Sequence, residues 1–238
     1  MMILKVISSS SKGNCYVLVG EKESLILEAG APISEVWKVV GTTDVVGCVV
    51  SHLHSDHAKF LPRYWSYGLR IACNAETAEH YGLSGPAVKP NNKTYRFGEF
   101  TIIPFPVQHD VANNGYVIRH PDMGKMLFVT DTYVLPFRFS GIDHFLIEAN
   151  YDDEALKRSR EAGRISKAEM IRLMTTHMSF ENCLQNLMCS HANKARSVIL
   201  LHLSDRNSDA KMFEERCRST LAVPTFIASR GLEVDLTK

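Results

Sequence analysis

The sequence predicts an α/β domain in which strands build the core of each half and helices cover the outside. Three observations carry that expectation. The first half reads as short β segments bounded by turn signals, while the second half places helix-like runs between further strands. No linker rich in Pro, Gly or Ser separates the halves, and no internal repeat or low-complexity tract is visible, so residues 1–238 are expected to form one domain. The 238 residues are 45% hydrophobic and 22% charged, which is enough apolar side chain for a sizeable core.

Residues 2–7 form an apolar run, 8–14 a small polar loop, and 15–19 with 24–27 a hairpin turning near Gly20. Residues 32–40 suit a short helix or turn, and 45–50 form the continuous β-branched run of a buried central strand. A helix over 59–67, interrupted by Pro62, and another over 76–81 follow. Strand patterns resume at 94–97, 100–104, 115–119, 125–130 and 145–148. Residues 153–161, 166–175 and 179–194 are helix-like, with Ser179 able to cap the first turn of the last. Residues 197–201 read as a strand, 209–220 as an amphipathic helix, and 225–228 as the start of a terminal strand pair.

Composition narrows the function classes. Lys plus Arg total 27 against 26 Asp plus Glu, a net charge of +1 that announces no nucleic-acid binder yet leaves room for a local basic patch. No stretch approaches the roughly 18 apolar residues of a spanning helix, and the opening MMILKVISSSSKGN has too short an apolar segment for a signal peptide. A cytoplasmic protein with no membrane partner is expected. The six cysteines form no Cys-x-x-Cys pair and read as reduced, mostly buried small hydrophobes; a disulfide framework is the weaker alternative, since nothing else looks secreted.

Ten histidines are the unusual count. In Ser51-His52-Leu53-His54-Ser55-Asp56-His57, an extended backbone points His52 and His54 to one side, and a following turn brings Asp56 and His57 to the same point. Three imidazoles and a carboxylate suit a divalent ion such as Zn²⁺, Mn²⁺ or Fe²⁺. A histidine-rich surface loop or a set of satisfied core histidines is the plainer alternative, but chance gives this spacing in roughly one such chain in a thousand. His109, Asp131 and His202 each follow an apolar strand segment, so they can gather at one sheet edge and complete a seven-ligand set.

The order His-x-His-x-Asp-His, then His109, Asp131 and His202, resembles the metallo-β-lactamase fold superfamily over nearly the whole chain. Within it the chain looks closest to the bacterial YycJ-like (WalJ-like) branch. The stretches that carry this are Ser8-Ser9-Ser10-Ser11-Lys12-Gly13-Asn14-Cys15, Val129-Thr130-Asp131-Thr132, Ile147-Glu148-Ala149-Asn150-Tyr151-Asp152, Thr176-His177-Met178-Ser179 and His202-Leu203-Ser204-Asp205-Arg206-Asn207. The resemblance implies a four-layer αββα sandwich of two mixed sheets with a binuclear site at one edge. It implies one metal on His52, His54, His109 and Asp131, and a second on Asp56, His57, Asp131 and His202, with Asp131 bridging. It also implies phosphodiester hydrolysis of the exonuclease type. Glu28-Ala29-Gly30 departs from the usual Asp-Ala-Gly, so a shift in the groups supporting the histidine loop is expected, without loss of the site. The chain also looks short for the branch.

Two divalent ions, Zn²⁺ or Mn²⁺ with Fe²⁺ as a further option, can activate water, with Asp56 both ligating and orienting it. His177 is the candidate auxiliary group, placed before a helix start where a phosphate can bind; Asn14 and Asn207 are candidate substrate contacts. For all three, a structural role is the plain alternative. His80, His120, His144 and His191 match no ligand position. Lys12, Lys59, Arg63, Lys194, Arg196 and Arg206 lie near the site loops, and Trp37 and Trp65 could stack on bases, although solvated charges and buried packing are the default readings. The expected substrate is a phosphodiester, DNA or RNA. An ester, thioester, lactone or cyclic phosphodiester hydrolase is the alternative with the same metals, and a non-catalytic metal-binding scaffold is a third.

Overall fold

The computed structural model describes residues 1–85, 88–89 and 93–238. Among these residues, fourteen strands form two seven-stranded sheets. The first sheet holds β1 (Met2–Ser10), β2 (Gly13–Gly20), β3 (Glu23–Leu27), β4 (Asp44–Val49), β5 (Ile71–Ala72), β6 (Val88–Lys89) and β14 (Glu233–Asp235), in the order β14-β1-β2-β3-β4-β5-β6. The second holds β7 (Tyr95–Phe97), β8 (Phe100–Val107), β9 (Asn113–His120), β10 (Gly124–Val129), β11 (His144–Glu148), β12 (Ser197–Leu201) and β13 (Thr225–Ile227), in the order β13-β12-β11-β10-β9-β8-β7. Both sheets are mixed: β3 to β6 and β10 to β13 pair in parallel, while β1, β2 and β7 to β9 pair antiparallel. The helices are α1 (Ile33–Val40), α2 (Ser55–Ala58), α3 (Leu61–Ser66), α4 (Ala75–His80), α5 (Asp153–Glu161), α6 (Lys167–Thr176), α7 (Phe180–Cys189) and α8 (Ala210–Leu221).

Alternation along the strands builds the layers. Leu4, Leu25, Leu27, Val49, Met126, Phe128, Leu146 and Ile199 meet between the sheets. Their strand neighbours Ile26, Cys48 and Val50 face outward under α1 and α3, and Leu127, Phe145, Ile147, Val198 and Leu200 face outward under α7 and α8. Because both faces of the central strands are covered, their sequences are continuously apolar. The arrangement is an αββα sandwich.

Four features differ from the sequence reading. The loop expected over 8–14 narrows to 11–12, because β1 runs on to Ser10 and β2 begins at Gly13. The helix expected over 59–67 is α3, which begins only at Leu61 after the separate single turn of α2, and Pro62 does not interrupt it but sits in its first turn, where its missing N–H is harmless. The helix expected over 179–194 ends at Cys189, with Ser190 as its cap and a 3₁₀ turn at Ala192–Lys194. The terminal strands do not pair with each other. β13 adds to β12 in one sheet and β14 to β1 in the other, so the chain crosses between sheets where a local hairpin was expected.

Candidate metal centre

Ligand-type residues gather because strands that run the same way end at the same edge. β4 leads to His52, β8 to His109, β10 to Asp131, β11 to Glu148 and β12 to His202. Of five non-glycine residues with positive φ, three lie here: Glu28 (68°), Asp131 (51°) and His202 (56°). A left-handed residue at a strand end turns the backbone sharply, a costly conformation that tends to occur at functional sites.

Asp131 lies at the centre. Its Oδ2 is 3.9 Å from Nε2 of both His52 and His109, while Oδ1 is 3.4 Å from His57 Nε2 and 3.7 Å from His202 Nε2. One oxygen thus faces each of two groups that could hold an ion, His52-His54-His109-Asp131 and Asp56-His57-Asp131-His202. In the first group His54 Nδ1 is 3.1 Å from His52 Nε2 and 3.2 Å from His109 Nε2. In the second, Asp56 Oδ2 is 3.1 Å from His57 Nε2 and 3.2 Å from His202 Nε2. Ligand atoms of a tetrahedral ion with bonds of about 2.0–2.1 Å stand about 3.3–3.4 Å apart, so both groups fit a small divalent cation.

Groups behind the imidazoles fix their orientation. His109 Nδ1–H donates to the Thr176 carbonyl at 3.0 Å, leaving Nε2 free for the site. His52 Nδ1 lies 2.8 Å from Ser51 Oγ, and His202 Nδ1 lies 3.0 Å from the Asn150 amide nitrogen. His57 Nδ1 has no hydrogen-bond partner; the nearest carboxylate oxygen, Glu28 Oε2, is 3.7 Å away. The longer Glu28 side chain spends its oxygens on the Ser51 N–H, at 3.2 and 3.3 Å, and reaches His57 by charge alone.

Electrostatics agrees with the donor chemistry. Burial would raise the Asp131 carboxyl, yet the imidazoles of His202, His57 and His177 hold it well below the usual range. Burial and neighbouring His57 push His52 well below its ordinary value, which keeps it a neutral donor. Burial opposes charge on His57 and His202, but Asp131 and Asp56 raise both. The buried carboxylates thus demand positive charge, from protons or from metal ions.

The other candidates fall in different places. His177 Nδ1 is 2.6 Å from Glu148 Oε1, and its ring stacks on His202 with centroids 5.3 Å apart. Burial works against its charge, but Glu148 and Asp131 push it up to about 9. Glu148 Oε2 is occupied by the N–H groups of Thr132 and Met178, so this carboxylate serves His177 more readily than an ion. Asn14 is fully buried, with its amide nitrogen 3.3 Å from Asp56 Oδ2 and 3.1 Å from His57 Nε2. Asn207 is buried with an unpartnered Oδ1, and its carbonyl accepts from the Asp152 N–H. Ser11, His54, Asp56, His109, Arg172 and His177 help line a cleft of about 310 Å³. His80 and His191 are exposed; His144 is buried against Ser197. Trp37 is 40% exposed and packs edge-on against Tyr67.

Sequence reasoning gave no role to Glu148 or Asn150. Glu148 carried the signal used for the ligands, an apolar strand ending in a carboxylate, whereas nothing local marks an asparagine that braces a distant histidine.

No protein-family model matches the chain. It is 26% identical to exodeoxyribonuclease WalJ of Streptococcus pneumoniae serotype 2, over 97% of this chain and 90% of that protein. It is 25% identical to exodeoxyribonuclease YycJ of Bacillus anthracis, over 96% and 92% of the two chains. Among solved structures it resembles the metallo-β-lactamase fold protein YhfI from Bacillus subtilis, with a TM-score of 0.75 at 15% identity over 99% of this chain and 100% of that one. The chain thus shares the metallo-β-lactamase fold, and two groups that could each hold an ion meet at Asp131.

Proposed function

We propose that the chain is a two-metal phosphodiesterase that removes nucleotides from the end of a nucleic-acid strand. The observation that carries the reading is the split of Asp131, one oxygen toward each ligand group. His52, His54 and His109 would hold one ion and Asp56, His57 and His202 the other, with Asp131 shared. Zn²⁺ and Mn²⁺ suit this mixture of imidazole and carboxylate. Bound there, two ions would make water nucleophilic at neutral pH and offset charge on the phosphate oxygens.

The chain's own residues supply the rest. Asp56 Oδ2, held by Asn14, His57 and His202, points into the cleft and orients the attacking water. His177, held protonated by Glu148, stands beside the ligands as the donor for the departing oxygen. Arg172, exposed on α6 at the cleft rim and 3.7 Å from Asp110, offers a guanidinium to a phosphate. The likeness to two exodeoxyribonucleases supports DNA as substrate.

The test is digestion of end-labelled DNA and RNA by protein loaded with Mn²⁺ or Zn²⁺, beside a bis-phosphodiester chromogen and a lactone panel. Progressive loss of terminal nucleotides supports the reading. Lactone or thioester turnover without phosphodiester cleavage overturns it.

A further inference from the structure

The outer face of the second sheet, away from the candidate metal edge, carries a row of cations that make no ion pair among the described residues. Strand register sets Arg96 of β7 opposite Thr101 of β8, Thr101 opposite Arg119 of β9, and Arg119 opposite Lys125 of β10. Residues directly paired in an antiparallel ladder point to the same side. The alternate row, Tyr95, Ile102, Ile118 and Met126, is buried between the sheets, so the basic row points outward. Like charges directly opposite, as Arg119 and Lys125 are, work against strand pairing unless something negative joins them. Among the described residues no ion pair includes Arg96, Arg119 or Lys125. Asp143 accepts from the Lys125 backbone N–H and faces Arg196.

These residues line a hollow of about 500 Å³, where Glu99 is the one acid among the described lining residues. A neighbouring hollow shares Arg96 and adds Arg70. Glu23, Glu99 and His120 cluster beside it: Asp122 N–H donates to His120 Nδ1 at 3.2 Å, and Nε2, 3.4 Å from Glu23 Oε1, has no hydrogen-bond partner.

The same face leads to the metals. Beyond Thr101, the outward positions of β8 are Ile103, Phe105 and Val107, and His109 follows. Phe105 lies across Gly115, where any Cβ would collide with its ring, and packs against Phe137 and Phe139. Phe137 is 44% exposed. Cations thus lie at one end of this face, an exposed aromatic in the middle and the ligand edge at the other. Eight residues of strand at about 3.4 Å each make the span about 27 Å.

We propose that this face docks a single nucleic-acid strand whose end is at the metal edge, with Arg96, Arg119 and Lys125 holding phosphates and Phe137 offering a stacking surface. The inference rests on the nuclease reading above. Guanidinium groups match phosphate geometry, and base stacking on an exposed ring is indifferent to sequence.

The test measures binding without metal, in EDTA, by fluorescence anisotropy of a labelled 30-nucleotide single-stranded DNA at several salt concentrations. The variant Arg96→Ala/Arg119→Ala/Lys125→Ala removes exposed or half-buried side chains, two of which repel each other, and its thermal melt checks folding. Its slope of log affinity against log salt should be shallower by about 2, from three phosphate contacts at about 0.7 each on a single strand. Low-salt affinity should fall at least tenfold, and Phe137→Ala should weaken the same DNA severalfold. An unchanged salt slope for the 30-mer overturns the proposal. So does a mononucleotide that binds wild type but not the triple variant while the 30-mer slope stays the same, since the row would then serve a small phosphorylated ligand. Because no metal is present, failure of the loaded protein to cleave DNA would count against the nuclease reading alone.

Discussion

Replacing Glu28 by Gln separates the two halves of the metal centre. Glu28 is fully buried, its oxygens accept from the Ser51 N–H at 3.2 and 3.3 Å, and Oε2 faces His57 Nδ1 at 3.7 Å. Gln keeps an acceptor for Ser51 and the side-chain volume, so the histidine loop stays in place. Its amide N–H₂ then faces His57 Nδ1, which favours an acceptor there and moves the ring proton to Nε2, the atom turned toward Asp56 and Asp131. Loss of such a supporting group typically weakens metal binding 10- to 100-fold, or about 1.4–2.7 kcal/mol. Only the group containing His57 should be affected. A stepwise Zn²⁺ titration against a competing chelator should therefore show one site unchanged and the other weakened by that amount. Stability moves the other way. Burial raises the Glu28 carboxyl, against the pull of His57 and Ser51, so its contribution is favourable below the ordinary value of 4.5 and is lost as pH rises. Metal-free Glu28→Gln should therefore melt no lower than wild type at pH 7. Equal weakening of both sites, or an unchanged second step, would refute the reasoning.

Three further outcomes are expected. His177→Ala should slow turnover of the chromogen by about 10²–10⁴-fold, the usual range for a lost proton donor, while metal content stays at the wild-type level; loss of an ion would make His177 a ligand instead. In native protein one thiol should react with a disulfide reagent, because Cys189 is exposed while the other five cysteines are buried, with burial pushing Cys15 and Cys73 up to about 12; reaction of several thiols would contradict the packing. Ser179→Ala removes the cap that accepts from the Asn182 N–H and should lower stability by about 1 kcal/mol, or about 2–4 °C in Tm for a chain of this size; an unchanged melt would show that the cap does not hold α7.

The gathering of His52, His109, Asp131 and His202 was legible because its signal is local: an apolar run that stops at a His or Asp marks a strand end, and parallel ends share an edge. The boundaries of α2 and α3 were less legible, since Pro62 reads equally as an interruption or as a first-turn residue. The pairing of β13 and β14 with different sheets was not legible, because sheet membership depends on partners some 230 residues away in the chain, such as β1 with β14. For the same reason Asn150 and Glu148 had no visible role until His202 and His177 were beside them. Net charge left room for a local basic patch without placing it. Strand register gathers Arg96, Arg119 and Lys125 into one row beside a hollow that Glu99 also lines.

The central claim is that Asp131 joins two ion sites. It is tested most directly by elemental analysis of protein exchanged into Mn²⁺ or Zn²⁺ and freed of excess metal, with Asp131→Ala measured in parallel. The account predicts close to two ions per wild-type chain and loss of both in the variant, because each ligand group depends on one oxygen of that carboxylate. No bound metal in wild type, or two ions retained by Asp131→Ala, would contradict it.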